Sequence, residues 1–78
     1  MSEILKFNKG KDTVNMFLEK DYYIVRVDDK FGFRWFRTKD LNNPEIESDK
    51  AYELSKKINN GELCGFNYTE KTIIWMTY

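Results

Sequence analysis

Apolar and polar residues alternate through the first half of the chain, and the period changes in the second half. Ile4, Leu5 and Phe7 form a short apolar group suited to a strand, which Asn8–Asp12 ends as a turn. Val14, Met16 and Leu18 then recur at every second residue, the spacing of a strand with one buried face. Glu19-Lys20-Asp21 is a polar break, and Tyr22–Val27 is β-branched and aromatic. After the polar Asp28-Asp29-Lys30, Phe31–Thr38 returns to strand formers. Both connections are too short for a crossover, so 13–19, 22–27 and 31–38 are predicted to form a three-strand antiparallel meander.

Lys39–Glu45 reads as a loop, because Pro44 biases Asn43 toward an extended shape. Ser48 or Asp49 is placed to cap a helix over residues 49–59. Ala51, Leu54 and Ile58 fall at i, i+3 and i+7 as one apolar stripe, with Tyr52 at its margin. Asn59-Asn60-Gly61 supplies the stop. Leu63–Tyr68 and Thr72–Tyr78 predict a C-terminal strand pair. The fold class expected is α+β: a single small domain over residues 1–78, with an antiparallel sheet of four to five strands and one helix packed on one face.

The register of the central hairpin decides which side chains are hidden. A loop over 28–32 sets Val27 opposite Phe33 and Val25 opposite Trp35. One face then carries Tyr23, Val25, Val27, Phe33 and Trp35 as the core, and the other carries Tyr22, Ile24, Arg26, Arg34, Phe36 and Thr38. A helix of about eleven residues covers one side of such a sheet only. Tyr22, Ile24 and Phe36, interleaved with arginines, are therefore expected to face water or a partner.

Composition narrows the functional classes. Thirteen basic residues balance thirteen acidic ones among 78, which argues against a surface given over to nucleic acid or anionic lipid. There is no histidine, a single cysteine (Cys64), and no apolar run longer than Ile73–Met76. Histidine catalysis, zinc clusters, disulfide frameworks and a membrane-spanning helix are excluded on that inventory. The first residues lack a basic region followed by an apolar one, which argues against a signal peptide and for a cytoplasmic protein. Phe, Tyr, Met, Ile, Asn and Lys make up 37 of the 78 residues, the usage of an A+T-rich genome such as a low-G+C bacterium or its phage.

Charge is unevenly spread. Residues 26–39 hold five basic and two acidic residues (+3), whereas 40–62 hold three basic and six acidic (−3). A basic hairpin and an acidic helix side are expected from this.

Motifs for chemistry are scarce. Glu45, Glu47 and Asp49 alternate like the first oxygens of a calcium loop, but Lys50 stands where glycine is needed and Lys56 where the bidentate glutamate belongs. Cys64 has no histidine to make it a thiolate, and reads as a small buried hydrophobe. No metal site, no cofactor and no enzymatic activity are expected. Phe31-Gly32-Phe33-Arg34-Trp35-Phe36 resembles the latter part of the RNA-recognition signature, in which strand aromatics stack on bases. Lys30 replaces its glycine and Arg34 its valine, and the likeness covers six residues.

A small, charge-balanced chain without catalytic groups resembles, in size and composition, anti-CRISPR and other phage anti-defence inhibitors. That resemblance implies a protein-binding inhibitor that occludes a larger protein target, of the nuclease or defence-complex kind. The contacts expected are Tyr22, Arg26, Arg34, Trp35, Phe36 and Arg37, with an alternative acidic face of Glu45, Glu47, Asp49 and Glu53. Two alternatives stay open: a single-stranded nucleic-acid-binding module using hairpin 22–38, and a nucleotide-sequestering protein. No membrane partner is expected, and the chain is read as a monomer or homodimer.

Overall fold

The computed structural model describes residues 2–62 and 74–77. Four strands follow one another as a meander: β1 (Ser2–Lys9), β2 (Asp12–Leu18), β3 (Tyr23–Asp29) and β4 (Gly32–Thr38). Helix α1 (Pro44–Asn59) comes next, and β5 (Ile74–Thr77) runs antiparallel along β4. Strand order in the sheet is the chain order, β1-β2-β3-β4-β5. The α+β architecture with one helix on an antiparallel sheet is thus as the sequence predicts. The strand expected at 63–68, and Cys64 with it, lies outside the described residues.

Turn chemistry explains the strand limits. Lys9 pairs with Asp12 across a two-residue connection, and Gly10, at φ 63°, takes its first position. A mirror-image hairpin turn requires left-handed backbone there, which glycine adopts without a steric penalty. The second hairpin is equally tight, with Asp29 paired to Gly32 and only Lys30 and Phe31 between them. Asp29 Oδ1 accepts the Phe31 amide at 2.9 Å, and Gly32 sits at φ 120°. An aspartate that bonds two residues ahead and a glycine that turns the corner close the loop in two residues rather than five.

This tight turn overturns the expected register. Val27 lies opposite Arg34, Val25 opposite Phe36 and Tyr23 opposite Thr38, so β4 is shifted by one residue. Because side chains alternate, a one-residue shift exchanges the two faces of the strand. Phe36 points under the helix and is 0% exposed, whereas Phe33 and Trp35 lie on the opposite face. The buried hydrophobic cluster is Val14, Met16, Tyr23, Val25, Val27, Phe36 and Ala51, with Leu5, Phe7, Tyr52, Leu54 and Ile58 packed around it.

The helix also departs from expectation. It begins at Pro44, five residues before the predicted start, and neither Ser48 nor Asp49 caps it. Asn43 is the cap, its Oδ1 accepting the amides of Glu45 (2.9 Å) and Ile46 (3.4 Å). Proline suits the first helical position, where its missing N–H would have no partner in any case. Glu45 and Glu47 in the first turn and Lys56 and Lys57 in the last suit the helix dipole. The residues pressed against the sheet are Glu47, Ser48, Ala51 and Ser55, while Leu54 and Ile58 flank them rather than form the buried stripe. Small side chains let the helix approach closely, and the sheet supplies the bulk.

Two polar clusters hold the helix at its rims. Arg34 Nη1 donates to Asn59 Oδ1 at 2.6 Å and to Ser55 Oγ at 3.4 Å, and Asn59 Nδ2 donates to Asp29 Oδ2 at 2.8 Å. Asp12 Oδ2 accepts from Lys56 Nζ at 2.6 Å and from the Tyr52 hydroxyl at 2.8 Å. The Lys56 and Tyr52 bonds hold the Asp12 carboxyl below its ordinary 3.8. The same bond to Asp12 holds Lys56 above 10.5, and burial followed by that bond pushes the Tyr52 phenol above 10.0.

Phe36→Ala removes the largest fully buried side chain among the described residues and is expected to cost about 3–5 kcal/mol in urea unfolding. Phe33→Ala on the other face should cost about 1 kcal/mol or less. A depressed carboxyl contributes stability above its unfolded value that is lost as pH falls through the folded value. Asp12→Asn should therefore flatten the acid limb of the stability curve below about pH 4. The raised Lys56 and Tyr52 act in the opposite sense, so the alkaline limb of the wild-type chain should fall only above their ordinary values.

Candidate functional site

With α1 over one side of the sheet, the other side has no covering element among the described residues. Strand alternation and register lay out what that face presents. Phe17, Ile24 and Arg37 form one row across β2, β3 and β4; Asn15, Arg26 and Trp35 form the next; Thr13, Asp28 and Phe33 form the third. The aromatic residues come from the outer two of these strands, and the central strand places Ile24, one cation and one carboxylate between them.

The side chains interlock. The Phe17 and Trp35 rings meet across β3 with centroids 6.2 Å apart and planes tilted 38°. The Arg26 guanidinium stacks on Phe33 at 4.2 Å and approaches Trp35 at 5.6 Å. Asp28 fixes that guanidinium from the side, accepting from Nη2 at 2.9 Å and from Nε at 3.0 and 3.2 Å. Arg37 lies over the Tyr22 ring at 5.1 Å. Each such contact contributes little, about 0.5–1.5 kcal/mol for a ring pair and 0–1 for an exposed ion pair or stack. Their joint effect is to hold these large side chains in defined positions on a face that no other element covers among the described residues.

Polar bookkeeping singles out two groups on this face. Asn15 Oδ1 and Arg37 Nε are shielded from water and have no hydrogen-bond partner among the described residues. No carboxylate among those residues lies within ion-pair distance of Arg37, in contrast to Arg26. Asp28 cancels the Arg26 charge, so the face is aromatic with modest positive charge rather than strongly basic.

Four of the predicted contacts, Tyr22, Arg26, Trp35 and Arg37, fall together here. Phe36 and Arg34 do not. Phe36 is fully buried beneath the helix, and Arg34 is committed to Asn59 and Ser55 on the helix side. Both misplacements follow from the two-residue turn. The alternative acidic face loses Glu47, which is 1% exposed and paired with Lys50 at 3.3 Å. Glu45, Asp49 and Glu53 remain exposed at i, i+4 and i+8 on the helix.

Phe17 and Phe33 also lie on this face, outside the residues singled out from the sequence. The signal for Phe17 was present, because inward Val14 and Met16 at alternate positions require Phe17 to point outward. Phe31, within the stretch that resembles the RNA-recognition signature, sits at the hairpin tip and is 64% exposed.

No family model, curated protein or solved structure matches this chain. Among the described residues, no group of three or more His, Cys, Asp or Glu could hold a metal ion, and no helix is long and apolar enough to cross a membrane.

The two arginines of β4 are expected to behave differently on truncation. Arg34→Ala should destabilise the chain by about 1.5–3 kcal/mol, since it removes charged hydrogen bonds that tie β4 to α1. Arg37→Ala should change stability by about 0.5 kcal/mol or less. Parallel denaturant titrations of the two variants check this.

Proposed function

We propose that the chain is a protein-binding domain that acts by occlusion, laying the open face of its sheet against a larger protein. The observation that carries this reading is the preorganised aromatic and arginine cluster of Phe17, Arg26, Phe33, Trp35 and Arg37 on a sheet face that no other element covers among the described residues. Trp, Tyr and Arg are the residue types that dominate the energetic centres of protein interfaces. Side chains already held in place lose less freedom on binding, which saves about 0.5–1.5 kcal/mol for each one.

Size supports the same reading. A stable interface takes about 800 Å² from each partner, roughly a sixth of the 5225 Å² this chain exposes. Only a whole face of so small a molecule offers that much, and the sheet opposite the helix is such a face. An inhibitor of the anti-defence kind needs no chemistry of its own, only a rigid surface wide enough to cover a working one.

A protein partner is favoured over single-stranded nucleic acid by how the face is used. Arg26 already occupies one side of the Phe33 ring, where a base would stack, and its charge is met by Asp28. Arg37 then offers its guanidinium to a partner carboxylate.

Affinity capture from a low-G+C bacterial lysate tests the reading, with and without nuclease, using the wild-type chain and a Trp35→Ala/Arg37→Ala variant. The expected result is one larger protein recovered regardless of nuclease. The variant should bind it at least about 30-fold more weakly, the loss of one interface hot spot, while it still folds and melts cooperatively. Equal capture by a folded variant would place the contact elsewhere, and loss of capture on nuclease treatment would make nucleic acid the partner.

A further inference from the structure

Helix α1 lies chiefly over β2 and β3, so the sheet reaches past it on the β1 side. Beneath this overhang Leu5, Phe7 and Lys9 of β1 face Glu45, Ser48 and Asp49 of α1 across an open groove of about 360 Å³. That is the low end for ligand pockets, and suits a few side chains better than a whole small molecule. β1 is also the terminal strand of the sheet, so alternate backbone N–H and C=O groups along its outer side have no strand partner among the described residues. One strand thus supplies both an open edge and one wall of the groove beside it.

We propose that β1 is a docking edge for an extended segment of a partner protein, which adds a strand to the sheet and sends alternate side chains into the groove. Main-chain hydrogen bonds would give such a contact its affinity and the groove its selectivity. A β-bulge between Glu3 and Leu5 leaves Leu5–Lys9 as the regular stretch along which the guest runs.

The lining defines the guest. Leu5 and Phe7 accept an apolar side chain. Lys9 demonstrates how a long cationic one is received: its Nζ lies 5.5 Å from the Phe7 ring centroid and 3.2 Å from Asp49 Oδ1. Glu45, on the same wall, has no cation within ion-pair distance among the described residues, so a guest arginine or lysine takes the same posture toward it. On the other sheet face Lys6 likewise lacks a carboxylate among those residues. The guest residue opposite Lys6 is therefore acidic, flanked by an apolar residue and a basic one. A second copy of β1 does not fit, because matching Leu5 with Phe7 sets Lys6 directly against Lys6, a repulsive cross-strand pair.

Titration of the isotope-labelled full chain with the peptide acetyl-Val-Thr-Val-Glu-Arg-Thr-amide, followed by amide chemical shifts, tests this. Shifts should concentrate on Ser2–Lys9 and Glu45–Asp49 and saturate in the millimolar range. Replacing the peptide glutamate with lysine should weaken binding about fivefold, and Lys6→Glu in the protein should reverse that preference. The proposal fails if β1 amides do not move at several millimolar peptide. It fails equally if shifts centre on Phe17, Ile24 and Trp35, or if the chain self-associates through β1 with rising concentration.

Discussion

The turn between Asp29 and Gly32 controls more of this molecule than any contact in its core. Two residues between paired strand ends, rather than five, set the parity of β4, and parity sends each side chain to one face or the other. Phe36 and Thr38 go beneath the helix; Phe33, Trp35 and Arg37 go to the open side. The Asp29 side chain makes the turn by accepting the Phe31 amide, and it also receives Asn59 from the helix end. The same residue therefore sets the register and anchors the element that covers the resulting core.

That core is built asymmetrically. The sheet contributes the volume, through Val14, Met16, Val25, Val27 and Phe36, and the helix contributes Ser48, Ala51 and Ser55. A helix with a small-residue face can sit close to a sheet whose side chains are large, and packing stays dense without many aromatics inside. Among the described residues Phe36 and Tyr23 are the only rings in the buried cluster, and the Tyr23 hydroxyl reaches the Asn42 carbonyl at 2.8 Å just before the helix begins. The remaining rings of β2 and β4 go to the other face, where Arg26 stacks on Phe33 and approaches Trp35, and Phe17 meets Trp35.

The two rim clusters divide the work of keeping the helix in place. Arg34, Asn59 and Asp29 tie its last turn to the β3–β4 hairpin, and Asp12, Tyr52 and Lys56 tie its middle to the β1–β2 hairpin. Both clusters lie beside the sheet edge of the core, where the cost of desolvating charge is moderate. Of the five basic residues in 26–39, two are engaged within the molecule in this way. Arg26 meets Asp28 and Arg34 meets Asn59, leaving Arg37 as the β4 cation without a polar partner among the described residues.

Local physics made much of this legible in the residues themselves. Period-two alternation at Val14 and Met16, the β-branched run 22–27, the short polar breaks and the helical spacing after Pro44 determined a meander followed by one helix, because those signals act over a few neighbouring residues. Tyr22, Arg26, Trp35 and Arg37 were readable as surface candidates from residue type. What the chain alone left open was parity, since a five-residue loop and a two-residue turn both join the same strands and bury similar apolar area. Tertiary structure chose between them through the hydrogen bond of Asp29, the backbone of Gly32 and the partners that Asn59 and Ser55 offered to an inward Arg34. Asn59 and Asp29 lie 30 residues apart in the chain, so the contacts that favour an inward Arg34 exist only in the folded molecule.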